Sequence, residues 1–129
     1  MTDFATARRM MVDGQVRTSD VTDPRIIAAM LDIPRERFVP ATQAGLAYLD
    51  FDVPVAPALA AGQAARRLLK PMVLAKLIQA AEIDANDHVL DVGCATGYST
   101  AVRARLARSV GCSHPAMSTM ITIMIAMPI

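Results

Sequence analysis

No apolar run in this chain reaches the length of roughly 18 residues that a membrane-spanning helix needs. An excess of one charge is also missing. Lysine and arginine number 13 against 12 acidic residues, a formal net charge of +1. No electrostatic case therefore arises for nucleic acid or an anionic membrane as partner. The only cysteines are Cys94 and Cys112, which give no disulfide framework and fit a reducing cytoplasm. The N-terminus from Met1 to Arg9 is polar and lacks the apolar centre of a signal peptide. No internal repeat is visible, and nothing fixes an oligomeric state. What the chain does hold is core material: 53% of its 129 residues are hydrophobic and 19% charged. That suits one domain at most.

In chain order, Phe4 to Val16 reads as a helix with Phe4, Ala7 and Met11 near one face, and Met10-Met11 is assigned to its core side. Thr22-Asp23-Pro24 is a helix start, a capping side chain followed by proline at the first helical position. Ile26, Ile27, Met30 and Leu31 give that helix an apolar face, and Pro34 stops it. Pro40, Pro54 and Pro57 make the next region irregular or edge-strand-like. Pro71 to Glu82 is a third helix, expected to bury Met72, Leu74, Ala75, Leu77, Ile78 and Ala81 and to turn Lys76 and Gln79 to water.

Val89, Leu90 and Val92 form a short β-branched strand, stopped by Gly93, and a helix-forming run begins at Tyr98. A strand, a glycine-rich turn and a helix make the ligand corner of an open α/β sheet. Gly93 fits the first position of a dinucleotide motif, but Ala95 and Tyr98 hold the second and third, and the lysine of a phosphate-binding loop is absent. What remains, Asp91-x-Gly93-x-x-x-Gly97 directly after the strand, is similar to the first motif of methyltransferases that use S-adenosylmethionine (SAM). A purely structural strand-to-helix turn is the competing reading.

A second set of residues narrows the choice. Met11-Val12, Gln15, Asp23-Pro24-Arg25-Ile26, Ala29-Met30, Ile33-Pro34-Arg35-Glu36-x-Phe38-Val39-Pro40, Ala47-Tyr48-x-Asp50 and Val53-Pro54 together resemble the protein-L-isoaspartate O-methyltransferases over roughly residues 8 to 110. The resemblance implies an α/β fold in which an N-terminal helical segment precedes the first βα unit of a Rossmann-like, incomplete SAM methyltransferase sheet. It further implies methyl transfer to an isoaspartyl carboxylate in damaged proteins or peptides. Asp91, Gly93, Cys94, Ala95, Thr96, Gly97 and Tyr98 are then the cofactor-binding candidates, Asp91 placed to meet the SAM ammonium group. An ionised carboxylate can attack a sulfonium methyl without a general base, so no catalytic residue is singled out.

Two departures from the family pattern follow. Between Gly62-Gln63 and Pro71, where the family carries hydroxyl side chains for the substrate, the chain has none. Arg66, Arg67 or Lys70 could hold a carboxylate instead, or could be solvated basic residues beside a helix start. Asp91 is also the last acidic residue. The acid that holds ribose hydroxyls about 20 positions past such a turn is therefore missing.

Expected boundaries are a helical and irregular segment at 1–70, the start of the SAM-binding domain at 71–110, and an atypical uncharged tail at 111–129. That tail suggests truncation with an out-of-frame end after about Val110; otherwise Met117 to Met127 could be a strand, a membrane-seeking segment or an aggregation-prone run. A lone parallel strand with open edges would be marginally stable. An inactive remnant, a binding module, or a methyltransferase with another acceptor are the alternatives to the enzyme. Among smaller signals, Cys94 reads as packing and His88 as surface. Cys112-x-His114 lacks the second pair of a metal site, and Arg103, Arg105 and Arg108 read as a solvated helix face.

Overall fold

The computed structural model describes residues 3–56 and 65–113, and the backbone of 123–127. The expectations placed on Pro57, Gly62, Gln63 and His114 lie outside these residues, as do those on the stretch 117–122.

Asp3 opens helix α1 (Phe4–Met11) by accepting hydrogen bonds from the Ala5 and Thr6 amides, which satisfies two of the donors a helix start leaves open. From Val12 to Val16 the chain stays helical but widens to a π-turn, then tightens through Arg17–Ser19. The expected core side is half right. Met11 is buried, but Met10 is 68% exposed. Neighbouring helical residues point about 100° apart, so the two cannot share a face.

Helix α2 (Pro24–Asp32) starts as the sequence implies: the Asp23 carboxylate caps the Arg25 amide and Pro24 takes the first turn. Its face of Ile26, Ala29 and Met30 enters a core shared with Val12 and Val16. Helix α3 (Pro71–Ala80) adds Leu74, Ala75 and Ile78 to the same core. Two assignments on α3 need correcting. Leu77 is 41% exposed. Gln79, expected in water, is a tether instead: its side-chain oxygen accepts from the Thr22 and Asp23 amides at 2.7 and 3.1 Å, and its nitrogen donates to the Asp20 carbonyl at 2.9 Å. These bonds fasten α3 to the loop before α2.

Strands β1 (Val53–Ala56) and β2 (Arg66–Leu68) pair antiparallel with an irregularity between Pro54 and Ala56, in keeping with a proline-rich edge. The second sheet is built on β3 (His88–Val92), which pairs parallel with β4 (Ser109–Ser113) and antiparallel with β5 (Ile123–Met127), in the order β4-β3-β5. The expectation of a lone strand is therefore corrected: β3 is central, with a partner on each side. It turns Val89 and Asp91 inward and His88 and Leu90 outward. Helix α4 (Tyr98–Ala104) packs against β3 and β4, completing an α/β arrangement. It ends before Arg108, whose amide donates to the Asp87 carbonyl and leads the chain into β4.

Candidate active site

Between β3 and α4 the backbone turns through residues 93–97, with φ of +78° at Gly93, +48° at Ala95 and +96° at Gly97. Glycine takes such values freely. Alanine does so at a cost of roughly 1–2 kcal/mol, because its Cβ crowds the following carbonyl. Strain of this kind persists only where the surroundings enforce it, and it concentrates at ligand sites. The enforcing contacts are present. The Gly93 amide donates to the Ser113 carbonyl of β4 at 2.9 Å, and the Gly97 amide to the Cys94 carbonyl at 2.8 Å. The Thr96 hydroxyl donates to the Phe38 carbonyl at 2.5 Å.

That last bond joins the turn to the Pro34–Pro40 segment, which lies directly against it. The Phe38 ring meets the Tyr98 ring edge-on with centroids 5.5 Å apart, and the Arg35 guanidinium lies over the Tyr98 ring at 4.7 Å. Arg35 is fully buried. Its Nε donates to the Ala47 carbonyl at 2.6 Å and its Nη2 to the Leu69 carbonyl at 2.8 Å, while Nη1 has no hydrogen-bond partner. Burial lowers the Arg35 pKa from its ordinary value despite nearby Tyr98, and burial pushes the Tyr98 hydroxyl up to about 12.

Farther back, Glu36 accepts from the Tyr48 hydroxyl and pairs with Arg8 of α1 at 3.2 Å, and the Arg8 Nε donates to the same hydroxyl at 2.9 Å. Burial pushes the Glu36 carboxyl up, but the Tyr48 hydroxyl and the Arg8 guanidinium outweigh it and hold the carboxyl below its ordinary value. The segment is thus locked to both α1 and the glycine turn.

A hollow open to solvent, about 370 Å³ including its mouth, runs between the turn and β2. Gly93, Cys94, Ala95, Tyr98 and Ser99 line it together with Arg67, Leu68, Leu69, Leu74 and the fully buried Arg35. Of the sequence candidates, the structure brings Gly93, Cys94, Ala95, Tyr98 and Arg67 together here. Thr96 and Gly97 shape the turn without lining the hollow, and Arg66 and Lys70 lie off its wall.

Asp91 is fully buried and does not line the hollow. Its Oδ2 accepts from the Ser99 hydroxyl at 2.6 Å and the Thr100 hydroxyl at 2.9 Å, and its Oδ1 pairs with Arg103. Arg103 is fully buried too, so of the three arginines assigned to a solvated helix face only Arg105 and Arg108 are exposed, and both lie past the end of α4. The carboxylate on β3 draws the guanidinium inward, a contact between elements that helical periodicity does not reveal.

The cysteines also depart from expectation. Cys94 and Cys112 form a disulfide across the turn and β4, their Cα atoms 6.2 Å apart, within the usual span for such a bond. Parallel pairing sets Asp91 opposite Cys112 and so brings Cys94 beside it, although 18 positions separate the two in sequence. No carboxylate stands at this end of β4, which carries Cys112 and Ser113.

Sequence reasoning missed Arg35, Ser99 and Arg103. The signal for Arg35 was present: an arginine inside the most specific motif of the chain, read there as family signature rather than as chemistry.

The pattern of the protein-L-isoaspartate(D-aspartate) O-methyltransferase family matches residues 7–123. A protein-L-isoaspartate O-methyltransferase 1 of Rhodopseudomonas palustris (strain HaA2) is 36% identical over 109 residues, 84% of this chain and 42% of that protein. A protein-L-isoaspartate O-methyltransferase 2 of Anaeromyxobacter sp. (strain Fw109-5) is 40% identical over 105 residues, 81% of this chain and 40% of that protein. A solved structure titled protein-L-isoaspartate O-methyltransferase shares the fold at a TM-score of 0.62 and 23% identity, over 86% of this chain and 34% of that one. The chain therefore spans less than half the length of these relatives. With α2, the Pro34–Pro40 segment and the glycine turn all inside the matched span, the chain belongs to the protein-L-isoaspartate(D-aspartate) O-methyltransferase family.

Proposed function

We propose that the hollow beside the glycine turn is a SAM site and that the chain serves transfer of a methyl group to the carboxylate of an isoaspartyl residue in damaged protein. The observation that carries this reading is the enforced turn at 93–97, where Ala95 is held at φ +48° beside the hollow. Backbone strain kept in place by its surroundings is characteristic of ligand sites. Gly93, Cys94 and Ala95 would lie along the amino-acid end of the cofactor, with Tyr98 as the pocket wall. Asp91, Thr96 and Gly97 would brace that wall, Asp91 through Ser99, Thr100 and Arg103. When bound, SAM would supply an electrophilic methyl on its sulfonium, the S–CH3 bond breaking as the acceptor carboxylate becomes a methyl ester and S-adenosylhomocysteine is left as the neutral thioether. An acceptor ionised at neutral pH needs no base from the protein. The residues would then contribute position and exclusion of water. Arg67, at the mouth, would draw in an anionic acceptor, with Arg66 and Lys70 as further basic candidates. Among the described residues no helix is long and apolar enough to cross a membrane. Protein repair would place the chain in the cytoplasm.

A second reading, a form that binds SAM without turnover, draws on the end of β4, where Cys112 and Ser113 stand in place of a ribose-binding acid. Incubation with methyl-labelled SAM and an isoaspartyl peptide separates the two. Label in a base-labile ester, absent with the normal aspartyl peptide, supports the enzyme. Binding of SAM with no ester supports the second reading. Neither binding nor ester from a folded sample contradicts both.

A further inference from the structure

Arg35 is a fully buried cation without an anion. All 12 acidic side chains of the chain lie among the described residues, and none is within ion-pairing distance of its guanidinium. Asp52 attracts it only from farther away, and its Oδ1 accepts the Lys70 amide at 2.8 Å. An unpaired buried charge is costly, so one that is kept calls for an explanation, a ligand, ion or water among them. The two backbone carbonyls that bind Nε and Nη2, with the Tyr98 ring beneath the plane, fix the guanidinium in orientation. Only Nη1 is left over, in a residue that lines the hollow. The Tyr98 hydroxyl, which lines the same hollow, lies close enough to Arg35 to favour its charged form, but neither that hydroxyl nor Nη1 makes a well-formed hydrogen bond.

We infer that Arg35 is the carboxylate-binding residue of the hollow, its Nη1 held ready for an anionic ligand group that enters beside Gly93, Ala95 and Ser99. The inference rests on the proposed function for the identity of the ligand. Two carboxylates share the required chemistry, that of the cofactor's amino-acid end and that of the isoaspartyl acceptor. A rigid, single free donor suits recognition of either: it costs no side-chain ordering on binding, and a charge-assisted bond in a buried setting is strong. The exposed Arg67 at the mouth adds attraction at longer range.

Equilibrium binding to the full chain tests this with two ligand pairs. One is S-adenosylhomocysteine against its analogue lacking the carboxylate. The other is an isoaspartyl peptide against the same peptide with that carboxyl amidated. In the wild type, one pair should differ by at least about tenfold, and Arg35→Gln should bring that pair within about twofold. A difference in the first pair assigns the cofactor's carboxylate, and a difference in the second assigns the acceptor's. Binding with no carboxylate preference in either pair overturns the inference and leaves the functional reading standing. Should Arg35→Gln fail to fold, the wild type labelled with ¹⁵N-arginine decides: acetate should shift the slowly exchanging guanidinium signal of the buried Arg35, and no shift overturns the inference. If neither adenosyl compound binds a folded sample but acetate shifts that signal, the functional reading falls and the carboxylate site stands.

Discussion

Replacing Arg103 with methionine should destabilise the chain more than any surface substitution. Arg103 and Asp91 are both fully buried and form an ion pair. Beyond that pair, the nitrogens of Arg103 make no hydrogen bond, whereas the Asp91 carboxylate also accepts from Ser99 and Thr100. Arg103→Met would fill much of the space and leave a carboxylate buried with only two hydroxyl donors, at a cost of about 3–5 kcal/mol. Removing both charges in Asp91→Leu/Arg103→Met should recover part of this, since an ion pair and an apolar pair of similar volume often balance. The two stranded hydroxyls would keep the double variant roughly 2 kcal/mol below wild type. Urea unfolding followed by circular dichroism reads the difference. With a slope of about 1–3 kcal/mol per molar, Arg103→Met should lower the midpoint by more than about 1 M. A single variant within about 1 kcal/mol of wild type, or a double variant worse than Arg103→Met, would refute the buried pair as described.

Other contacts give further expectations. Glu36→Gln should weaken the lock with Arg8 and Tyr48. The loss of charge-assisted bonding there should cost about 1–2 kcal/mol at neutral pH. Because Glu36 is held below its ordinary value in the fold, its contribution is complete above the unfolded value and is lost as the pH falls through the folded one. Unfolding curves of Glu36→Gln should accordingly lose part of the wild type's acid sensitivity; unchanged acid sensitivity contradicts the assignment. Gln79→Ala removes three hydrogen bonds to the loop before α2. It should cost roughly 1–3 kcal/mol in thermal unfolding, whereas a water-facing residue would cost almost nothing. The Cys94–Cys112 bond closes a loop of 18 positions. Reducing it should lower stability by roughly 3 kcal/mol on a chain-entropy estimate. Equal stability with and without reductant, in a sample whose thiols are quantified, would contradict that.

The parts of this fold that could be read from sequence are those decided within a few residues. Asp23-Pro24 caps and starts α2 through its own backbone, and the run from His88 to Val92 becomes β3 because its β-branched residues end at a glycine. What escaped was set by contacts between distant elements. Arg103 follows the pattern of a wet helix face until Asp91 is placed opposite it. Gln79 is as polar as Lys76, but only Gln79 lies beside the Thr22 and Asp23 amides. Cys94 and Cys112 meet because β3 and β4 run parallel in one register. The site shows the same division. The glycine turn announced itself, including the odd Ala95 at the second motif position, yet the buried arginine behind it took its meaning from the Ala47 and Leu69 carbonyls and the Tyr98 ring.

The most direct test of a cofactor site at the glycine turn is a calorimetric titration of SAM into the folded 129-residue chain. A single saturable site is predicted, weaker than one with a ribose-binding acid, since β4 ends in Cys112 and Ser113. No saturable heat from a sample that circular dichroism shows to be folded would contradict it, and the turn would then be a structural corner rather than a binding site.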